Sequence, residues 1–151
     1  MPCWPTRVDV REVGPRDGLQ NEAPVPIEAR VELIDALSTT GLRFIEAAAF
    51  VSPAAIPPMA GAAEVMARIA RRTGVVYSAL VPNPKGAELA TAAGADEIEL
   101  VVSASETHNR KNVRRSVADS LVGARDVVEI GHGAGVAVEA IVSTAFGCPY
   151  E

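Results

Sequence analysis

The sequence predicts an α/β fold, a partial (β/α)8 TIM barrel with about five parallel strands and four helices. Short apolar segments alternate with helical patterns at intervals of about 25 to 35 residues, as in right-handed parallel β/α units. The first strand is not followed by the Gly-x-Gly-x-x-Gly pattern of doubly wound dinucleotide-binding sheets. A complete barrel needs about 250 residues. Residues 1–151 are therefore expected to supply only part of a single barrel domain.

The first strand is predicted at residues 8–13, where β-branched and charged residues alternate. Two glycines and a proline follow and force a turn. Arg16 and Asp17 then lie side by side at the carboxyl end of a strand, where parallel barrels place their chemistry. The Asp17 carboxylate is a hard ligand suited to Mg²⁺ or Mn²⁺, and the Arg16 guanidinium can stabilise an oxyanion. The alternative is a solvated ion pair in a turn.

A helix is predicted at residues 27–37, where the apolar side chains share one face, and Gly41 stops it. The next strand, residues 44–49, is short and largely apolar, as a strand buried on both faces is. Glu46 is its one acid, and a buried carboxylate is costly unless it is paired. Arg16 is the expected partner of Glu46. The alternative is that Glu46 lies at the end of the strand, where water solvates its carboxylate.

The remaining segments continue the alternation. Prolines in the segment 50–58 predict a rigid loop above the barrel. Further predicted elements are a helix at 61–72, a strand at 75–81, a helix at 85–93, a strand at 97–102, a polar loop at 103–111, a helix at 112–130 and a strand at 137–143. The two unpaired strand edges, near Val10 and Ile141, predict a homo-oligomer or association with the missing half of the barrel.

Several loop residues are candidates for binding. Asn83 and Lys85 follow the third strand and are candidates for substrate contacts, although Lys85 at a helix start is more simply explained as solvated. His108 is expected to be exposed and unliganded, and His132 to lie at the end of a helix as a partner for its dipole.

Composition limits the partners. The 14 Lys and Arg residues against 19 Asp and Glu residues give a net charge of -5 without a basic run, so nucleic acid is not an expected partner. No apolar stretch reaches about 18 residues, so no membrane span is expected.

Cys3 and Cys148 are too far apart to form a CxxC pair, and Cys3 is interpreted as incidental. We expect a cytoplasmic protein with reduced thiols.

The string from Gly14 to Glu22, Gly-Pro-Arg-Asp-Gly-Leu-Gln-Asn-Glu, resembles the opening signature of 3-hydroxy-3-methylglutaryl-CoA (HMG-CoA) lyases. These enzymes belong to a wider group of metal-dependent lyase and synthase barrels. The resemblance continues over nearly the whole chain, in the same order and with similar spacing. Its further blocks lie at residues 44–46, 50–59, 82–86, 104–112 and 147–151. It implies that residues 1–151 are the N-terminal portion of a single TIM-barrel lyase domain, without its C-terminal half.

The resemblance implies metal-assisted cleavage of HMG-CoA, an acyl-CoA substrate, to acetyl-CoA and acetoacetate, with Mg²⁺ or Mn²⁺ as the cofactor. It implies that Asp17 is a metal ligand, that Arg16 binds substrate and stabilises the enolate oxygen, and that Glu46 holds this pair in position. Gln20 and Asn83 are the further residues expected to contact substrate.

The sequence also departs from the family. The family completes its metal site with a His-x-His pair and an Asn from later strands, and this sequence has no His-x-His. Asp17 alone leaves most of a coordination shell unsupplied, so the isolated chain is expected to be inactive. Cys148 matches an earlier Gly-Cys-Pro-Tyr string than the one that carries the catalytic cysteine of the family, so a structural role is favoured.

Two other functions remain open. One is a related aldolase or acyl-CoA condensing synthase of the same barrel family, although the Arg-Asp-Gly-Leu-Gln-Asn-Glu string favours the lyase. The other is a non-catalytic half-barrel that acts as a binding or assembly module, which the missing ligands favour.

Overall fold

The computed structural model describes residues 4–151, so Cys3 lies outside the described residues. Five parallel strands form one sheet in the order β1-β2-β3-β4-β5. Strand order that follows chain order without reversal is that of a (β/α)8 barrel, so the predicted partial barrel is confirmed. The strands are β1 Arg11–Glu12, β2 Phe44–Ala49, β3 Val76–Val81, β4 Glu97–Ser103 and β5 Ala137–Ser143, and the helices are α1 Ile27–Leu37, α2 Ala62–Arg68, α3 Pro84–Ala92, α4 Glu106–Val113 and α5 Val117–Gly133.

The sheet is strongly curved. In a flat sheet, β1 and β5 would lie about 19 Å apart, since neighbouring strands are about 4.8 Å apart. Arg11 on β1 nevertheless reaches Glu139 on β5, with 2.8 Å between Nη2 and Oε2. The concave side of the sheet is therefore the inner face of a barrel wall. The helices pack against the other, outer face.

The hydrophobic core lies between the outer face of the strands and the helices. Ile45, Tyr77 and Ile98 project from successive strands into this layer, where they are almost completely buried. The Tyr77 hydroxyl lies 2.9 Å from Ser38 Oγ at the end of α1, so its polar end is satisfied within the core. Helix α5 contributes Val127 to the same cluster. The inner face, by contrast, carries charged side chains.

The structure corrects several predicted boundaries. The first strand pairs over Arg11–Glu12 only and not over residues 8–13. Helix α4 occupies most of the predicted polar loop at 103–111, and the predicted helix at 112–130 is instead a separate helix, α5, that begins at Val117 and ends at Gly133. Arg114, in the left-handed conformation with φ 58°, ends α4, and the Ser116 side chain caps α5. There are therefore five α-helices in the described chain and not four.

No helix within residues 4–151 is both long enough and apolar enough to cross a membrane. His132 lies in the last turn of α5, as predicted for a residue that complements the helix dipole.

Candidate active site

The segment Gly14–Gly18 forms a single π-helical turn directly after β1. The backbone N–H groups of Arg16, Asp17 and Gly18 all point at the Val13 carbonyl oxygen, at 3.1, 2.7 and 3.4 Å. Such turns are rare and are frequent at functional sites. This one holds Arg16 and Asp17 at the carboxyl end of β1, beside β2.

Arg16 binds Glu46 through two parallel hydrogen bonds. Arg16 Nε donates to Glu46 Oε1 at 2.6 Å, and Nη2 donates to Oε2 at 2.8 Å. Arg16 Nη1 donates to Asp17 Oδ1 at 2.8 Å. The pairing of Arg16 with Glu46 expected from the sequence is therefore present. A bidentate arrangement fixes the plane of the guanidinium as well as its position.

Glu46 lies on the inner face of β2, just before an irregularity of that strand. It lies opposite Ser78 on β3, whereas Ala48 lies opposite Ala79, so Ala47 is an extra residue in the ladder. The Glu46 side chain is fully buried. Burial raises the pKa of Glu46 to about 7, helped by nearby Glu99 and opposed by the hydrogen bonds from Arg16. Glu46 is thus poised to titrate near neutral pH.

A pocket of about 510 Å³ opens above these residues. Its volume falls in the range of small-molecule sites, about 300 to 1,000 Å³. Arg16, Asp17, Gln20 and Asn83, all named from the sequence, line it together. Sequence reasoning did not single out the other polar lining residues, which lie after β2, in the last turn of α4, just after α4 and at the end of β5: Ser52, Asn112, Arg115 and Ser143.

The two predicted candidates after β3 differ in placement. Asn83 caps α3, with its Oδ1 accepting from Gly86 N at 2.9 Å, so its amide nitrogen is left for a ligand in the pocket. Lys85 is exposed, does not line the pocket and pairs with Glu88 at 3.0 Å. The solvated interpretation of Lys85 is therefore the correct one.

A second charged cluster lies on the inner face, and sequence reasoning missed it. Arg11 donates to Ser78 Oγ, Glu97, Glu99 and Glu139 at distances between 2.6 and 2.8 Å. The sequence feature that could have revealed this cluster is the two-residue spacing of Glu97 and Glu99, which places both acids on one face of a strand.

The oxygens of three glutamates in this cluster, Glu97, Glu99 and Glu139, lie within 4.8 Å of one another and could bind a metal ion. The guanidinium of Arg11 already lies among them, however, and supplies the positive charge that such a group needs. In the pocket itself, Asp17 is the one acid among the described lining residues.

Two further predictions concern residues outside the pocket lining. His108 is half-buried, with Nδ1 at 2.7 Å from Ser103 Oγ, so the expectation of an exposed histidine is wrong. His108 lies in the first turn of α4, where the sequence predicts a loop. Cys148 is a half-buried free thiol whose Sγ accepts a hydrogen bond from Tyr150 N at 3.4 Å.

Comparison with known proteins places this geometry in a family. The sequence model of the HMGL-like family matches residues 7–151. Mitochondrial hydroxymethylglutaryl-CoA lyase of Gallus gallus is 48% identical over 150 residues, which are 99% of this chain and 50% of the relative. A hydroxymethylglutaryl-CoA lyase of Bacillus subtilis is 47% identical over 150 residues, 98% of this chain and 50% of the relative.

Solved structures agree with the sequence matches. The HMG-CoA lyase of Bacillus subtilis superposes with a TM-score of 0.95 at 45% identity, over 99% of this chain and 50% of that chain. An HMG-CoA lyase from Acenitobacter baumannii, solved in complex with coenzyme A and 3-methylmalate, superposes with a TM-score of 0.91 at 45% identity, over 95% of this chain and 47% of that chain. The chain thus spans about half the length of these relatives, and it belongs to the HMGL-like family.

Proposed function

We propose that this chain is the N-terminal part of an HMG-CoA lyase, which cleaves 3-hydroxy-3-methylglutaryl-CoA to acetyl-CoA and acetoacetate. The observation that carries the proposal is the Arg16–Glu46–Asp17 arrangement at the edge of a pocket of about 510 Å³. Family membership and the names of the relatives agree with it. The same arrangement is compatible with a related aldolase or acyl-CoA condensing synthase. These enzymes act on other substrates, so a substrate test separates them from the lyase.

Arg16 has the donors that the reaction needs. Cleavage begins when a base removes the proton of the substrate hydroxyl; the bond between the carbinol carbon and the thioester methylene then breaks, and its electron pair forms the enolate of acetyl-CoA. Protonation of that enolate gives acetyl-CoA. Arg16 uses three of its five N–H groups on Glu46 and Asp17, which leaves two for the enolate oxygen. Because Glu46 fixes the guanidinium, these donors need no reorganisation during the reaction.

Asp17 fits the role of one ligand to Mg²⁺ or Mn²⁺, because its carboxylate is more than half exposed and lines the pocket. A bound divalent cation would polarise the hydroxyl and carboxylate oxygens of the substrate. Asp17 is a single carboxylate, so we infer that the remaining ligands come from the other half of the barrel. Gln20 and the free amide nitrogen of Asn83 are the neutral groups proposed to orient the substrate.

We infer that the acyl-CoA substrate enters from the carboxyl ends of the strands, where the pocket opens. We also propose that the open sheet associates with the remainder of a barrel or with a second copy of the chain. We propose that the protein is cytoplasmic, because Cys148 is a free thiol and free thiols are typical of reducing compartments. Among the relatives, one carries the name cytoplasmic and several the name mitochondrial.

The test is release of acetoacetate from HMG-CoA with Mg²⁺ or Mn²⁺ present, by the chain alone and by the chain co-expressed with the C-terminal half of the Bacillus subtilis relative. We expect turnover only in the co-expressed sample. Asp17→Ala should abolish it, whereas the exposed control Glu88→Ala should leave it unchanged.

Two results would contradict the proposal. Turnover of a hydroxy-oxo acid, or condensation of an acyl-CoA, with no cleavage of HMG-CoA would identify a related aldolase or synthase. A stable complex without turnover of any of these substrates would identify a non-catalytic half-barrel.

A further inference from the structure

A buried arginine on α1 is not part of the candidate site. Arg30 is only 1% exposed, and its Nη1 donates at 2.7 Å to the carbonyl oxygen of Ala60, near the end of the β2–α2 loop (residues 50–61). Within residues 4–151 no carboxylate pairs with Arg30, and its Nε and Nη2 are buried without a hydrogen-bond partner. Burying a guanidinium without a counter-charge is unfavourable. The hydrogen bond to Ala60 is therefore the interaction that the position of Arg30 provides.

Helix α1 holds the end of this loop at a second point. Ile27 lies one turn before Arg30 on α1, and its side chain packs against Gly61, the residue after Ala60. A Cβ atom at Gly61 would lie 2.6 Å from Ile27 Cδ1, and Gly61 has a φ of 76°. Both the space and the backbone conformation therefore require a glycine. One polar contact and one apolar contact thus fix the end of the loop against one face of α1.

Backbone hydrogen bonds join this anchored end to the wall of the pocket. Met59 N donates to the Ile56 carbonyl at 3.1 Å, and Ile56 N donates to the Ser52 carbonyl at 3.0 Å. Ser52, Ala55 and Ile56 line the pocket. Residues 50–56 form neither helix nor strand. The position of this wall therefore depends on where the ends of the loop are held.

We propose that Arg30 is a positioning residue for the substrate pocket: by holding the Ala60 carbonyl from α1, it fixes the wall that Ser52 and Ile56 form. Arg30 itself does not line the pocket. The effect on turnover rests on the proposed lyase function, whereas the anchoring of the loop does not. Since the unpaired buried charge disfavours the fold, replacing Arg30 should loosen the loop without lowering stability.

The first test compares backbone hydrogen exchange, measured by NMR, in the unmodified chain and in Arg30→Met. We expect the amide groups of Ile56 and Met59 to exchange at least about tenfold faster in the variant, because their loop has lost its anchor, while the amide groups of α1 keep their rates. Arg30→Lys should restore part of the protection, since an ammonium group can still donate to Ala60. Unchanged exchange in Arg30→Met, or an equal acceleration along α1, would overturn the proposal.

Arg71→Met is the matched control. Arg71 also donates to a backbone carbonyl oxygen, that of Gly94, but it lies outside the pocket lining and does not contact the β2–α2 loop through a hydrogen bond. Its replacement should leave the exchange of Ile56 and Met59 unchanged. The same acceleration in both variants would mean that any lost arginine loosens the loop, which contradicts a specific role for Arg30.

Stability separates positioning from a purely structural role. Arg30→Met replaces an unpaired charge by an apolar side chain of similar length, and water can bind the carbonyl of the exposed residue Ala60 in its place. The midpoint of urea unfolding should therefore stay the same or rise. A clearly lower midpoint would show that Arg30 chiefly stabilises the fold, and the proposal would fail.

Kinetics of the co-expressed sample test the effect on the pocket. In Arg30→Met the KM for HMG-CoA should rise at least about fivefold while kcat changes less than about twofold, because Arg30 shapes the pocket but lies away from the reacting atoms. Arg71→Met should leave both constants unchanged. An unchanged KM in Arg30→Met would contradict the role in the pocket. If the co-expressed sample shows no turnover, the lyase proposal fails, while the exchange measurement still decides whether Arg30 anchors the loop.

Discussion

The Glu46 side chain shows how the environment of one residue sets its chemistry. It is fully buried, yet it receives two hydrogen bonds from a guanidinium. Burial favours the neutral carboxyl group and Arg16 favours the ionised one, and burial has the larger effect. The Glu46 carboxyl group therefore changes charge near neutral pH, at which an exposed glutamate is ionised.

This raised pKa predicts a pH-dependent stability. Because the folded protein binds the Glu46 proton more tightly than the unfolded chain, the free energy of unfolding should fall as the pH rises from about 4.5 to about 7. The contribution of Glu46 over that window is about 3 kcal/mol. Glu46→Gln should remove it, so urea unfolding at about pH 5 and about pH 8 should differ less in the variant than in the unmodified chain.

The exposed residue Glu32 on α1 supplies the control, since Glu32→Gln should keep the full difference between the two pH values. An equal pH dependence in Glu46→Gln and the unmodified chain would show that Glu46 ionises normally in the folded state.

The sequence allowed one of the two charged groups on the inner face to be predicted. Glu46 stands alone in an apolar strand, and Arg16 lies one strand away, so their pairing followed from local patterns. Arg11 meets Glu99 and Glu139 only because the sheet curves, which brings β1 towards β4 and β5. Curvature is a property of the assembled sheet and leaves no local pattern in the chain.

Among the elements, the region of α4 and α5 shows why boundaries were misplaced. Helix α4 has no apolar stripe, so its sequence is typical of a loop. It is held instead by the buried Asn109, whose amide nitrogen donates to the Arg115 and Ser116 carbonyls and to Ser120 Oγ. A helix stabilised by one buried polar side chain cannot be found from hydrophobic periodicity, whereas the long apolar elements were located correctly.

The packing of α5 on the sheet depends on a glycine. A Cβ atom at Gly131 would lie 2.4 Å from Val138 Cγ2 and 3.1 Å from Ile98 Cδ1, so the helix approaches β4 and β5 as closely as a glycine allows. Gly131→Ala should push α5 outward and lower the free energy of unfolding by about 1 to 3 kcal/mol. Chemical denaturation measures this loss.

Gly133, in the same helix, is the matched control. A Cβ atom there meets nothing within 4 Å, so Gly133→Ala should leave stability unchanged or raise it by up to about 1 kcal/mol. A Gly131→Ala variant as stable as Gly133→Ala would mean that α5 does not pack against the strands so closely.

At the scale of the whole molecule, the sheet has an outermost strand on each side, and pairing within the described residues ends at β1 and β5. Apolar side chains are exposed on and beside β5: Leu121, Val122, Ile141, Val142 and Phe146. Ile141 lines the pocket, so its neighbour Val142 projects from the outer face. An unpaired strand with apolar side chains on both faces is a template for association.

We therefore predict that the isolated chain self-associates through β5. Val142 is 58% exposed, and Val142→Lys places a charge where a second chain would bury an apolar side chain. The dissociation constant measured by analytical ultracentrifugation over a concentration series should rise at least about tenfold. Leu89→Lys changes a residue that is 47% exposed on α3, away from the open strand, and should leave the constant unchanged. If both variants weaken association equally, the contact does not run along β5, and a monomer at every concentration would contradict self-association altogether.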